Sequence, residues 1–204
     1  MSEHSPLAWR EIDRESISEG FVHLIRWRGQ FERFAGGWSA VVEREIVLRG
    51  DAVAVLPIDL ERDTLLLVRQ FRAAAARQPG GPWQEEILAG LVEAGEALEG
   101  VARREANEEA GLTLDELVPI TRYQPSPGAS DETLHLFLAP TSLPEMGGVF
   151  GLMSENEDIQ TTIEPVESVL ARLDAGGFGN SMTIIALQWL ALQRARGFWC
   201  APRR

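Results

Sequence analysis

The residues with the clearest capacity for chemistry lie between Gly90 and Leu112. Glu105, Glu108 and Glu109 stand at i, i+3 and i+4, so on a helix they share one face, within an arc of about 100°. Carboxylate oxygens are the ligands that Mg²⁺ and Mn²⁺ prefer, and such cations promote phosphoryl chemistry. An isolated Glu-Glu pair would instead favour a solvated acidic face. We interpret this larger cluster as a candidate site for a hard divalent cation.

A helix is predicted to hold these carboxylates. Apolar residues recur around them at helical spacing and indicate a buried stripe: Leu98, Val101, Ala102 and Ala106. Gly111 is predicted to end the helix as its C-terminal cap. Arg104 lies four residues before Glu108 and is placed to orient the carboxylates. Like charges on one helix face repel, and a bound cation would remove that repulsion.

Strands are predicted before this helix. Alternation indicates two strands over residues 21–34 and 38–48, joined by a turn at 35–37. A second hairpin is predicted from residues 52–60 and 64–72. Residues 85–89 are predicted to form one short strand that leads into the acidic cluster.

Strands and helices are predicted after the cluster as well. Residues 117–123 and 133–138 are predicted strands, and the segment between them is a loop by composition. Residues 141–158 contain Gly, Pro and Met and are predicted to be a mobile loop. Helices are predicted over 165–174 and 181–194, the second with apolar residues nearly all round and therefore largely buried. This order indicates an α+β or mixed α/β fold.

Composition limits the classes of protein. A chain of 204 residues with 45% hydrophobic residues favours one domain, with a small N-terminal addition. A net charge of −12 argues against nucleic acid or an anionic membrane as the main partner, although a metal can reverse the sign inside a cleft. The single cysteine, Cys200, and the lack of an apolar leader predict a cytoplasmic protein without a membrane anchor.

The acidic cluster matches a known motif at every fixed position. Gly90 is followed by five residues, Glu96, seven residues and then Arg104-Glu105, with Glu108-Glu109 and Gly111 after them. This pattern resembles the Nudix box. The resemblance implies the Nudix fold, an α/β/α sandwich around a mixed sheet, over residues 51–204. Residues 1–50 would form an N-terminal antiparallel strand segment.

Further segments resemble the ADP-ribose pyrophosphatase subgroup of that family. They occur in the expected order along the chain: Arg44-Glu45-Ile46, Gln70-Phe71-Arg72, Glu86-Ile87-Leu88, Ser126-Pro127-Gly128 and Glu155-Asn156-Glu157. The resemblance implies metal-dependent hydrolysis of ADP-ribose to AMP and ribose 5-phosphate, with two or three Mg²⁺ ions, or Mn²⁺ in their place. Two alternatives stay open: a hydrolase of GDP-mannose or another nucleoside-diphosphate sugar, and a Nudix-fold binding module without catalysis.

The resemblance also assigns roles by position. The implied metal ligands are Glu105, Glu109, Glu157 and the carbonyl of Ala89. Glu108 is implied to hold a metal or its water, and Glu155 to act as the general base. The implied substrate contacts are Phe21, Val22, Arg44, Glu45, Arg49, Arg72, Leu91, Ser126, Pro127, Gly128 and Glu132.

Phe21 is implied to stack on adenine, from an N-terminal segment swapped between the subunits of a homodimer. From the sequence alone Phe21 is equally compatible with a strand core, and the arginines with solvated strand ends.

Overall fold

The computed structural model describes residues 7–199, apart from the side chain of Glu155. The chain divides into two compact units. The first contains the described residues up to Gly50 together with Gln124–Glu132. The second contains Asp51–Tyr123 and the described residues from Thr133 onward.

The first unit contains a three-stranded antiparallel sheet in the order β1-β2-β3. Its strands are β1 (Trp9–Glu19), β2 (His23–Phe31) and β3 (Val42–Leu48). The predicted strands at 21–34 and 38–48 correspond to β2 and β3. The predicted turn is confirmed, because Gly36 and Gly37 adopt φ values of 87° and 73°, which favour glycine.

Strand β1 is absent from the sequence-based prediction. All of its residues are exposed, and its pairing with β2 shifts between Glu11 and Asp13 and again between Ser16 and Ser18. Each irregularity inserts an unmatched residue and breaks the alternation on which strand prediction depends.

The second unit is built on an eight-stranded mixed sheet. Its strands are β4 (Asp51–Asp59), β5 (Thr64–Phe71), β6 (Trp83–Glu86), β7 (Leu88–Leu91), β8 (Val118–Tyr123), β9 (Thr133–Pro140), β10 (Val149–Phe150) and β11 (Ile159–Pro165). The order is β10-β11-β5-β4-β9-β8, while β6 pairs with β5 and β7 with β4. Strands β4 and β9 are parallel, and the other pairings in this sheet are antiparallel.

Helices cover both faces of this sheet. They are α1 (Leu98–Ala110), α2 (Val166–Asp174) and α3 (Ser181–Ala195). Successive residues of β4 point to opposite faces. Leu56 therefore packs in a core with residues of α2 and α3, while Val55 packs in a second core with residues of α1. The predicted α/β/α sandwich around a mixed sheet is confirmed.

Four elements of the second unit differ from their predictions. Residues 141–158, predicted to be a loop, contain the short strand β10, which pairs with β11. The strand predicted at 85–89 is divided into β6 and β7, with Ile87 between them. Strand β11 was not predicted, and Pro165 ends it just before α2 begins at Val166. The third helix is buried along one face only, with Gln188 and Leu192 exposed. Within residues 7–199 no helix is long and apolar enough to cross a membrane.

Candidate active site

Helix α1 presents the predicted carboxylates at a well-defined end. Gly111 is left-handed, with φ of 64°, and its N–H donates to the carbonyl of Asn107 at 2.9 Å. The next N–H, of Leu112, donates to the carbonyl of Ala106 at 2.9 Å. The bond from Gly111 to Asn107 is the one that defines the αL capping motif, which confirms Gly111 as the predicted cap and stops the helix just after the Glu108-Glu109 pair.

Gly90 lies directly under the Glu105 side chain. A Cβ atom placed on Gly90 would stand 1.7 Å from Oε1 of Glu105 and 2.6 Å from its Cγ. No side chain fits in that space, so the glycine is required for close approach rather than for a special backbone conformation. Gly90 therefore lets strand β7 and helix α1 pack with Glu105 between them.

Glu109 is almost fully buried, with 3% of its surface exposed. Its Oε2 accepts a hydrogen bond from the N–H of Ala89 at 3.0 Å, and its Oε1 lies 3.5 Å from Nε2 of Gln70. Burial, together with the charges of Glu105 and Glu157, raises the pKa of the Glu109 carboxyl to about 8. The Ala89 N–H opposes this rise without cancelling it.

Glu105 is also held in a poorly solvated position. Burial raises the pKa of its carboxyl to about 7, and the negative charges of Glu108 and Glu157 act in the same direction. Arg104 opposes the rise through its charge and its hydrogen bond. Two neighbouring carboxylates thus share an environment with too little positive charge, which is the condition that a bound cation relieves.

Arg104 joins the carboxylates to the preceding loop. Its Nη1 contacts Oε1 of Glu105 at 2.7 Å and Oε2 of Glu108 at 3.2 Å. Its Nε and Nη2 donate to the two carboxylate oxygens of Glu96, each at 3.1 Å, and Nη2 also reaches the carbonyl of Leu91 at 3.2 Å. The hydrogen bond with Glu96 is the main cause of a raised pKa at Arg104. The predicted orienting role of Arg104 therefore has a geometric basis.

Glu157 follows a short 3₁₀ turn over Met153–Glu155. Its Oε2 accepts from the N–H of Leu152 at 3.2 Å, and the N–H of Gly151 reaches the carbonyl of Glu108 at 3.4 Å. The negative charge of Glu157 contributes to the raised pKa values of both Glu105 and Glu109. The side chain of Glu155, the implied base, lies outside the part of the chain that the structure describes.

The donor set of this cluster suits a hard divalent cation. Carboxylates supply hard oxygen ligands, and the buried one at Glu109 and the partly buried one at Glu105 lack enough compensating charge. Among the side chains that the structure describes, no three acidic or histidine groups already surround a common point. Arg104 and the Ala89 N–H occupy the oxygens that a cation would take.

Arg72 belongs to the same unit and approaches the cluster from β5. Its Nη2 and Nε donate to Oε2 of Glu86 at 2.7 and 3.1 Å. Burial lowers the pKa of Arg72, but the hydrogen bond and charge of Glu86 raise it by more. The sequence motif that contains Arg72 also contains Gln70. This residue contacts Glu109, but it was not among the predicted site residues. The register of β5 against β6 brings Gln70 near Glu86, and Glu109 reaches Gln70 from α1.

The remaining predicted contacts lie in the first unit. The Arg49 guanidinium lies 5.5 Å from the Phe21 ring centroid, and its Nε is 3.9 Å from Oε1 of Glu132. Oδ1 of Asp131 accepts from the N–H groups of Arg49 and Gly50 at 2.7 and 3.2 Å. Phe21 is 89% exposed, so it is not part of a strand core. This unit therefore brings Phe21, Arg49 and Glu132 together.

The other contacts implied for the first unit are placed less closely. Nη1 of Arg44 bonds the carbonyl of Glu43, and Glu45 lies 3.9 Å from Arg26. The carbonyl of Ser126 accepts from the N–H groups of the two residues after Gly128, which closes a tight loop. Exposed residues here are Val22, Arg44, Glu45, Ser126, Pro127 and Gly128.

Comparison with known proteins places the chain in a family. Residues 48–178 match the family model described as NUDIX domain. The chain belongs to the Nudix family.

Within that family the chain is similar to ADP-ribose pyrophosphatases. It is 39% identical to the ADP-ribose pyrophosphatase of Escherichia coli strain K12 over 181 residues, which cover 89% of this chain and 87% of that protein. It is 37% identical to the ADP-ribose pyrophosphatase of Haemophilus influenzae, over 96% of this chain and 93% of that protein.

Two other likenesses are more distant. The GDP-mannose pyrophosphatase of Citrobacter koseri is 32% identical over 72% of this chain and 77% of its own length. A solved structure described as an ADP compounds hydrolase superposes with a TM-score of 0.69 over 97% of this chain and 100% of that chain. Its identity is 17%, so this likeness concerns the fold alone.

Proposed function

We propose that this protein is a metal-dependent ADP-ribose pyrophosphatase that hydrolyses the diphosphate of ADP-ribose to AMP and ribose 5-phosphate. The observation that carries the proposal is the pair of carboxylates that α1 holds together: Glu109 is buried, Glu105 is partly buried, and the pKa is raised to about 7 at Glu105 and to about 8 at Glu109. The similarity to ADP-ribose pyrophosphatases over most of the chain supports the choice of substrate.

The proposed metal ligands are Glu105, Glu109, Glu157 and the carbonyl of Ala89. The proposed cation is Mg²⁺, with Mn²⁺ as the alternative. Each site is proposed to hold two or three of these ions. When bound, the metal neutralises charge on the diphosphate and lowers the pKa of water. Arg104 holds the carboxylates of Glu105 and Glu108 in place for this purpose.

Residues of the chain are proposed to bind the diphosphate, accept a proton and orient the attacking water. Arg72 binds a diphosphate oxygen through its planar guanidinium. Glu155 accepts the proton of the attacking water, and Glu108 orients that water or a metal. The water oxygen bonds to one phosphorus, and the bond from that phosphorus to the bridging oxygen breaks. One phosphate group of the diphosphate is then part of AMP and the other is part of ribose 5-phosphate.

The adenosine end is proposed to contact the first unit. Phe21 is exposed and lies beside Arg49, an arrangement suited to an aromatic base next to an anion. The other proposed substrate contacts are Val22, Arg44, Glu45, Leu91, Ser126, Pro127, Gly128 and Glu132. The functional form is proposed to be a cytoplasmic homodimer in which the N-terminal segments are exchanged.

Hydrolysis of GDP-mannose is the second candidate function. It is favoured by one observation, the more distant similarity to a GDP-mannose pyrophosphatase. The carboxylate cluster does not distinguish the two substrates, because it faces the diphosphate that both share. A binding module without catalysis is disfavoured because Glu105, Glu108 and Glu109 are all present.

The test compares hydrolysis of ADP-ribose and GDP-mannose, each with Mg²⁺ and with EDTA, and resolves the products by chromatography. AMP and ribose 5-phosphate, formed only with metal, are the expected products. Faster turnover of GDP-mannose would retain the metal chemistry and reject the proposed substrate. No turnover of any nucleoside-diphosphate sugar would favour the binding module.

A further inference from the structure

A half-buried ion pair lies beside the proposed metal site, and neither of its residues is a proposed metal ligand. Glu86 is 4% exposed, and its Oε2 accepts two hydrogen bonds from Arg72, at 2.7 and 3.1 Å. The donors are Nε and Nη2 of the guanidinium, so Nη1 takes no part in this pair. Two bonds to one carboxylate fix the plane of the guanidinium as well as its position.

Gln70 connects this pair to the metal site. Its Nε2 lies 3.4 Å from Oε2 of Glu86 and 3.5 Å from Oε1 of Glu109. Gln70 is itself buried, with 6% of its surface exposed. An amide between two carboxylates donates to both and adds no charge, so it separates two groups that would otherwise repel. The side chains thus form a continuous polar chain from Arg72 to Glu109.

The neighbouring residue on β6 shows that this placement depends on the strand face. Glu85 also pairs with an arginine, Arg172, at 3.1 Å. Arg172 belongs to α2, which packs on the opposite side of the sheet from α1. Glu85 and Glu86 are chemically matched, since each is a glutamate paired with an arginine. Adjacent strand residues point to opposite faces, so only Glu86 points toward the carboxylates of α1.

We propose that Glu86 is a positioning residue that holds the Arg72 guanidinium for the substrate diphosphate. The inference rests on the proposed function, in which Arg72 binds a diphosphate oxygen. Glu86 does not touch the substrate and acts through Arg72. The Arg72 side chain is long and 42% exposed, so it would sample many rotamers without its bonds to Glu86. The carboxylate therefore selects the one orientation in which the guanidinium faces the anion.

A double-mutant cycle tests the proposal. Glu86→Gln keeps the shape of the side chain and removes its charge, so kcat/KM for ADP-ribose should fall about 10–100-fold, mainly through KM. In an Arg72→Ala background the same substitution should change kcat/KM by less than about twofold, because the group it positions is gone. Glu85→Gln is the matched control and should leave kcat/KM unchanged.

The outcome that would overturn the proposal is a similar loss from Glu86→Gln in both backgrounds, which would indicate a general effect on folding. Thermal unfolding of each variant identifies that case independently. Unchanged kinetics in Glu86→Gln would overturn the proposal too.

Binding of ADP, measured by calorimetry with Mg²⁺, separates this inference from the proposed function. If the wild-type protein does not hydrolyse ADP-ribose, the proposed function fails, while ADP affinity still reports on Arg72. Glu86→Gln should then weaken ADP binding about 10–100-fold in the wild-type background only. Equal ADP affinities in Glu86→Gln and wild type would reject the role of Glu86 whatever the substrate.

Discussion

At the scale of single residues, the absence of a side chain at Gly90 has a direct chemical role. The space that a Cβ would need is filled by the Glu105 carboxylate. Gly90→Ala should therefore push that carboxylate aside and lower kcat about 10–100-fold, since small displacements of a catalytic group have effects of this size. The fold should survive, because the displaced atoms belong to a side chain and not to the backbone.

Gly100→Ala is the control for this substitution. Gly100 lies on α1, the helix that carries Glu105. A Cβ at Gly100 would meet no atom within 4 Å. It should raise the free energy of unfolding by about 0.5–1 kcal/mol and leave activity intact. Steady-state kinetics and urea unfolding of both variants measure the contrast. A Gly90→Ala enzyme with normal kcat and a normal Mg²⁺ requirement would contradict the proposed role of Glu105.

Glu109→Gln tests the most deeply buried of the proposed carboxylate ligands to the metal. Hydrolysis should fall about 10²–10³-fold or more, since several kcal/mol of charge stabilisation depends on the metal. Mg²⁺ should raise the Tm of the wild-type protein and have little effect on the variant. Glu99→Gln, at the exposed start of the same helix, should behave as wild type in both measurements. Full activity of Glu109→Gln would refute the assignment.

The same substitution should change how stability depends on pH when the metal is removed. The folded pKa of Glu109 is about 8, above the ordinary glutamate value of 4.5. This carboxyl therefore contributes stability that is fully present below about pH 4.5 and lost as the pH rises toward 8. In EDTA, Glu109→Gln should match the wild-type Tm near pH 5 and exceed it by several degrees at pH 8.5. A constant difference across that range would contradict the raised pKa.

At the scale of secondary-structure elements, the turn between β4 and β5 depends on one aspartate. Oδ1 of Asp59 accepts from the N–H groups of Glu61 and Arg62, each at 3.0 Å, and Oδ2 accepts from Leu143 at 3.2 Å. Burial raises the pKa of Asp59, but these bonds and the Arg62 charge together hold it below its usual value. The carboxylate form thus stabilises the turn.

Asp59→Asn should lower the free energy of unfolding by about 1–3 kcal/mol at pH 7. The folded pKa is lowered, so this stability is present above the unfolded pKa, about 3.9, and is lost as the pH falls through the folded value. The difference between the variant and the wild-type protein should therefore shrink below about pH 4. Urea unfolding from pH 3 to 7 measures it, with Glu61→Gln as the control. A difference that does not change with pH would contradict this account.

The elements also differ in how well their sequences predict them. Helix α1 was predictable because its apolar stripe and its cap at Gly111 are both local signals. Strand β1 was not, because its two irregular pairings hide the alternation. The pair of Arg72 and Glu86 was beyond prediction for a different reason. It depends on the register of β5 against β6, and no local pattern specifies which residues of two strands face each other.

At the scale of the whole molecule, the proposed homodimer with exchanged N-terminal segments predicts active sites built from two subunits. Glu109→Gln and Arg49→Ala would each be inactive alone, one through the metal and the other through the substrate. Mixed by unfolding and refolding together, they should recover about a quarter of wild-type activity, since about half the dimers are mixed and each has one intact site. No recovery, although native mass spectrometry shows mixed dimers, would place both residues in sites of single subunits.

The division of the chain into units has a consequence for engineering. Residues Gln124–Glu132 fold with the N-terminal strands, through the bridge between Val47 and Ser130 and the bonds of Asp131 to Arg49 and Gly50. The N-terminal strands and Gln124–Glu132, which are joined by contacts between residues about 80 positions apart, should therefore be transferred together. A chimera that transplants only one of them would separate groups adapted to each other. Recombination between relatives should preserve specificity only where both segments come from the same parent.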